Sequence, residues 1–132
     1  MEVYQRLYRQ YGPQYWWPAE SPFEVVVGAI LTQSAAWTNV ERALDNLKAA
    51  GCFSSQALRD IPETELAVLI RPSGYFNAKA RKLKAFINHL WEGYGGDLGL
   101  LLAKSGAELR EELLSIYGIG EETADDIVLY AA

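Results

Sequence analysis

The residues best placed to do chemistry lie near the end of the 132-residue chain, in Leu113-Leu114-Ser115-Ile116-Tyr117-Gly118-Ile119-Gly120-Glu121-Glu122-Thr123-Ala124-Asp125-Asp126-Ile127. A helical run over 107–116 breaks at Gly118-Ile119-Gly120 and restarts at once as a second run with helical apolar spacing. Glycines there can take positive φ and admit another backbone at close range, where Ala would not. Ile119 between them can turn back and pin the hairpin to a core. The second helix opens at 120–122, so its free N–H groups and the positive end of its dipole face outward. Such an end binds an anion, and a DNA backbone phosphate is one candidate. The competing reading of the same residues is a plain turn between two packed helices.

Two other groups have chemical potential. Gln14-Tyr15-Trp16-Trp17-Pro18-Ala19-Glu20 is a loop with three consecutive large aromatics. Loops carry such rings when these are buried or bind something. Lys79, Arg81, Lys82 and Lys84 form the one compact basic cluster. It reads as a solvated helix face or as a phosphate contact. His89 lies on the polar side of its helix and reads as a surface residue. Cys52 has no motif around it, and no ligand set for a protein-bound zinc or other metal is in sight.

The elements that must position these residues are helical. Glu2 to Tyr11 can form a short helix, stopped by Gly12-Pro13. Ser21 as N-cap, Pro22 at the first helical position and Glu24 as capping-box partner announce the next helix. Its body, Phe23 to Gln33, is apolar nearly all round, as a central buried helix is. Trp37 to Ala50 follows with Val40, Ala43, Leu44 and Leu47 at helical spacing, ended by Gly51. Two short helices are expected at Ser55–Asp60 and Pro62–Arg71. After the turn over 72–76, Asn77 can cap a helix whose stripe is Leu83, Phe86, Ile87, Leu90 and Trp91, ended by Gly93, Gly95 and Gly96. A leucine-rich turn over 98–102 and a second capping box, Ser105 with Glu108, lead to the hairpin. No strand-like alternation of useful length and no internal repeat is present, so the fold class is all-α.

Composition sets the outer bounds. At 132 residues, half of them hydrophobic and 22% charged, the chain is one domain able to bury a core without staples. The single cysteine excludes an intrachain disulfide framework and a Cys-based iron–sulfur cluster in this chain, and points to a reducing, intracellular (cytoplasmic) setting. No basic-plus-apolar leader opens the sequence. Its longest apolar run, Val25 to Leu31, is far too short to span a bilayer, so no membrane partner is expected. The net charge of -5 argues against gripping DNA by bulk attraction, though not against binding through backbone amides and a few local cations.

Leu113-x-x-Ile116-Tyr117-Gly118-Ile119-Gly120-x-x-Thr123-Ala124-Asp125 resembles the helix-hairpin-helix of the endonuclease III (HhH-GPD) superfamily of DNA base-excision glycosylases. Pro22-Phe23-Glu24 through Ile30-Leu31-Thr32-Gln33 is similar to a helix near the start of these enzymes. Ile70 through Gly74-Tyr75-Phe76-Asn77-Ala78-Lys79-Ala80 is similar to one of their turns. The three stretches lie in the family's order, and the resemblance covers residues 20–132. The Trp-Trp-Pro loop and an aromatic soon after Thr32-Gln33 look like the 3-methyladenine branch of the superfamily.

The resemblance implies two α-helical domains with a DNA cleft between them. Residues 21–132 would supply a six-helix barrel ending in the hairpin of 106–132, and residues 1–20 part of a second domain. The chain then looks like a fragment of a longer protein. Family members flip a damaged base out of the duplex and cut its N-glycosidic bond, aided by an Asp expected here after Ala132. Where bifunctional members carry a Lys whose amine attacks the sugar, this chain has Glu122, implying a monofunctional glycosylase. Glu121 and Glu122 also simply suit a helix N-terminus.

For the base pocket the candidates are Trp16, Trp17 and Trp37, whose faces would attract an electron-poor alkylated purine such as N3-methyladenine. The alternative is that they fill the core. Gln33 and Ser34 stand where relatives place a polar side chain in the space the flipped base leaves, or else they end a helix. With Lys79, Gly118, Ile119, Gly120 and Thr123 they make up the DNA-binding set, and a monovalent cation at the hairpin carbonyls is possible. The expected partner is duplex DNA with a damaged base. The alternatives are a non-catalytic helix-hairpin-helix module that binds DNA or a protein partner, and an inert fragment self-associating through an exposed apolar face. An Asp soon after residue 132 in the native gene would favour the enzyme.

Overall fold

The computed structural model describes residues 21–131. The expected helix over 2–11 and the loop bearing Trp16 and Trp17 lie outside them. Within them the chain forms α1 (Pro22–Leu31), α2 (Trp37–Ala49), α3 (Ser55–Asp60), α4 (Glu63–Leu69), a 3-10 turn (Arg71–Ser73), α5 (Phe76–Tyr94), α6 (Leu98–Leu102), α7 (Gly106–Leu114) and α8 (Glu121–Tyr130). No strand occurs among the described residues, and the all-α expectation holds.

α1 is the hub. Ser21 Oγ accepts the Glu24 N–H at 3.3 Å and Pro22 opens the helix, as the cap signature requires. Every residue from Glu24 to Leu31 is buried. The helix packs against α2, α5 and α8, which is why its sequence shows no polar face. The carboxylate of Glu24, buried with it, pairs with Lys48 of α2 at 2.9 Å.

α5 is the long strut. Leu83, Phe86, Ile87 and Leu90 are buried along one stripe, while Trp91 sits at its border with Nε1 donating to Ser55 O at 3.1 Å. The start differs from expectation. Asn77 does not cap the helix; Tyr75 occupies the N-cap in a left-handed conformation (φ 45°), with no side-chain cap bond. The helix runs on through Gly93 to Tyr94. Gly95 (φ 60°) then reverses the chain, and the Gly95 and Gly96 N–H groups return to the Trp91 and Leu90 carbonyls.

α7 starts with the second capping box, Ser105 Oγ accepting from the Glu108 N–H (3.3 Å) and donating to its carboxylate (3.0 Å). One turn on, Glu112 collects Lys104 Nζ (2.7 Å), His89 Nε2 (2.6 Å) and Tyr94 Oη (2.8 Å). Burial alone would raise the Glu112 carboxyl, but the hydrogen bonds from Lys104, His89 and Tyr94 outweigh it and hold the group down at about 2. His89 is therefore no idle surface residue: it is half-buried and ties α5 to α7.

A hairpin and cavity at the end of the central helix

α1 ends against the hairpin. The Gln33 amide donates to Gly118 O (3.2 Å) and to Thr123 Oγ1 (2.9 Å), and its oxygen accepts from Lys82 Nζ of α5 (2.7 Å). Both amide protons are used, so Gln33 works as a clamp joining α1, the hairpin and α5. Ser34, next along, is exposed and left-handed (φ 55°). Asn and Asp accept that conformation more readily than Ser does, which makes Ser34 a strained point.

The two hairpin glycines are not equivalent. Gly118 takes φ 83°, and a Cβ there would overlap the stem of Lys82. Gly120 is extended (φ -91°, ψ -176°) as the N-cap of α8, with no atom within 4 Å of where its Cβ would lie. The expectation that both use positive φ is thus right only for Gly118, and what approaches it is a side chain. Gly120 instead leaves open space before the first turn of α8, where an external group can come close. Ile119 is 5% exposed and pins the hairpin to the core, as expected. Across the hairpin Arg110 of α7 pairs with Asp125 at 2.6 Å.

Two hollows flank the Gln33–Ser34 corner. The first, of about 200 Å³, is lined by Ala29, Thr32, Gln33, Ser34, Glu122, Thr123 and Asp126. The second, of similar size, is bounded by Gln33, Ser34, Tyr75, Ala78, Lys79 and Lys82. Ser34 and Tyr75, the two non-glycine residues at positive φ among those described, both line the second hollow. Local strain of this kind gathers at binding and catalytic sites. Tyr75 is also 72% exposed, a ring held out over the hollow.

The basic cluster divides four ways. Lys79 is 1% exposed and its amine donates to Leu31 O (2.8 Å) and Ser73 O (2.7 Å). Burial, with Lys82 adding, brings that amine down to about 8. It cannot reach a phosphate, so its place in the DNA-binding set is corrected: Lys79 closes the ends of α1 and the 3-10 turn. Lys82 serves Gln33, and Lys84 caps α3 through Leu58 O and Arg59 O. Arg81 stays exposed beside Tyr117 of the hairpin, whose hydrogen bond raises it further. Arg81, not Lys79, is the cation this cluster offers to solvent.

Trp37 opens α2, half-buried against the core, and lines neither hollow. Trp16 and Trp17 lie outside the described residues. Glu122 is exposed at the rim of the first hollow, and Asp126 sits one turn further along α8. Asp126 and Thr32 were missed in the sequence. The helical interval of four from Glu122 would have found Asp126, but Thr32 carries no local signal. Among the described residues no group of three or more His, Cys, Asp or Glu could hold a metal ion, and no helix is long and apolar enough to cross a membrane.

An all-α domain in which a Gly-x-Gly hairpin docks on a buried central helix, with polar hollows at their junction, is of the helix-hairpin-helix glycosylase type. The chain belongs to the HhH-GPD superfamily of base excision DNA repair proteins, whose profile matches residues 27–126. It is 47% identical over 131 residues to a Methanocaldococcus jannaschii protein assigned as a DNA repair glycosylase, covering 98% of this chain and 60% of that one. The crystal structure of the H. pylori 3-methyladenine DNA glycosylase bound to 1,N6-ethenoadenine superposes with a TM-score of 0.79 at 31% identity, over 98% of this chain and 63% of that one. A DNA complex of endonuclease III shares the fold (TM-score 0.74, 20% identity, 98% of this chain and 56% of that one). The chain thus spans about three-fifths of the length of these relatives.

Proposed function

We propose that the chain is the barrel-and-hairpin part of a monofunctional DNA N-glycosylase that removes alkylated purines from duplex DNA. The observation that carries this reading is Glu122 at the rim of the first hollow, in the position where lyase members of the family carry the attacking lysine. A carboxylate cannot form a Schiff base with the sugar, and no lysine lines that hollow among the described residues. In this reading the open end of α8 at Gly120 takes a backbone phosphate, Arg81 steadies the strand, and Tyr75 offers its face to a base. Trp16 and Trp17 stack on the flipped purine, and the carboxylate that activates water lies past Ala132. A monovalent cation would be held by the hairpin carbonyls, among which Ile116 O and Gly118 O each accept one hydrogen bond and keep a second lone pair. The similarity to the H. pylori 3-methyladenine enzyme supports the alkylpurine assignment.

The test is release of N3-methyladenine from duplex DNA by the chain extended to its natural C-terminus, with the 132-residue chain in parallel and borohydride present in a third arm. Release by the extended form alone, with no borohydride-trapped protein–DNA adduct, is the expected result. A trapped adduct would refute the monofunctional assignment, and no release by a folded extended protein would refute the substrate.

A further inference from the structure

The first hollow is acidic in a way the fold does not compensate. Glu122 and Asp126 are four residues apart on α8, so they stand on one face, a turn from each other. Both line the hollow, Glu122 exposed and Asp126 partly buried. The facing wall is Ala29 of α1 with Thr32, Gln33 and Ser34 of the turn that follows it, none of which titrates. The cations nearby are engaged elsewhere. Arg110 of α7 pairs with Asp125 and, at 3.7 Å, with Glu121, while Lys82 gives its amine to Gln33. Burial first, then Glu122 and Asp125, push the Asp126 carboxyl up to about 6.

A second polar group belongs to the wall of the same hollow. Thr32 Oγ1 lies buried in the wall and makes no hydrogen bond to any described residue. A buried hydroxyl without a partner is costly, as is a half-buried carboxylate without a cation. One flat ring carrying a positive charge and an N–H or ring nitrogen would satisfy both.

We propose that Asp126 is a specificity-determining residue: its carboxylate selects a positively charged purine ring over a neutral one in the hollow between α1 and α8. This rests on the base-excision reading, in which that hollow receives the flipped base. The selectivity expected is about tenfold, corresponding to about 1.4 kcal/mol of charge attraction in a partly hydrated site.

The probe is 1-methyladenosine, which keeps a fixed positive charge from pH 5 to 7.5, against neutral adenosine, each titrated into the isotopically labelled protein and followed by NMR. At pH 7.5 the unmutated protein should prefer the cation about tenfold, with shifts at Ala29, Thr32 and Asp126. The preference should fall towards one at pH 5, where Asp126 is protonated. D126N, nearly isosteric and checked by its amide spectrum, should bind the two nucleosides alike at both pH values, while E122Q keeps most of the preference. Equal or undetectable binding of the two by the unmutated protein at pH 7.5, or an unchanged ratio in D126N, overturns the proposal. Failure of base release with the nucleoside preference intact refutes the glycosylase reading and leaves Asp126 its role. Base release with a ratio that D126N does not alter refutes the role of Asp126 alone.

Discussion

A methyl group added at Gly118 would meet the aliphatic stem of Lys82 in a backbone already at φ 83°. The left-handed conformation costs a non-glycine residue roughly 1–2 kcal/mol, and overpacking against a side chain roughly 1–3 more. Lys82 is not free to retreat, since its amine is fixed on Gln33. Gly118→Ala should therefore lower unfolding stability by about 2–5 kcal/mol, read from the urea midpoint. The same methyl at Gly120 enters open space in an extended backbone. Its cost to the fold stays below about 1 kcal/mol, the N-cap preference for Gly over Ala. If a DNA phosphate approaches there, Gly120→Ala should weaken duplex binding while leaving the melt nearly unchanged. Equal damage to stability by both variants would show that Gly120, too, serves packing.

At the scale of elements, one amide joins three of them. Replacing Gln33 by Leu keeps the volume but strands the Lys82 ammonium, the Thr123 hydroxyl and the Gly118 carbonyl. With water reaching part of the site, the expected loss is about 2–3 kcal/mol. Hydrogen exchange should quicken over 116–124 more than over α2 or α4; a uniform change would mean that the hairpin is not coupled to α1 through this side chain. The helices themselves were legible in the sequence wherever the signal is local. Ser21, Ser105 and the glycines at 51 and 95 mark real ends, and the unbroken apolar run of α1 marks a helix buried all round. The clamp was not legible. Gln33 and its partners are 85 and 90 residues apart, and no periodicity records such a bond. Tyr75 failed for a related reason: Asn77 has the better capping side chain, but the tertiary turn at Gly74 starts the helix two residues sooner.

For the whole molecule, charge decides how it could hold a polyanion. The net charge is -5, and the basic residues that a sequence reading would spend on DNA are largely committed within the fold: Lys79, Lys82 and Lys84 to carbonyl groups, Lys104 and Arg110 to carboxylates. Duplex binding by this chain should then displace few counterions. The expected slope of log K against log salt concentration is about -2 to -3, as two or three phosphate contacts give. A slope near -6 would require a basic surface that the described residues do not provide. The family and the fold could be read from motifs, because Gly-x-Gly and Pro-Phe-Glu stand at fixed places in the chain. Which cations remain available could not, because that depends on where long side chains end. Lys79 has a further consequence. Shut in between Leu31 O and Ser73 O, with an amine brought down to about 8, it is shielded from acylating reagents until the fold opens. Under continuous labelling its modification would count opening events, making this one side chain a built-in clock for the breathing of the domain.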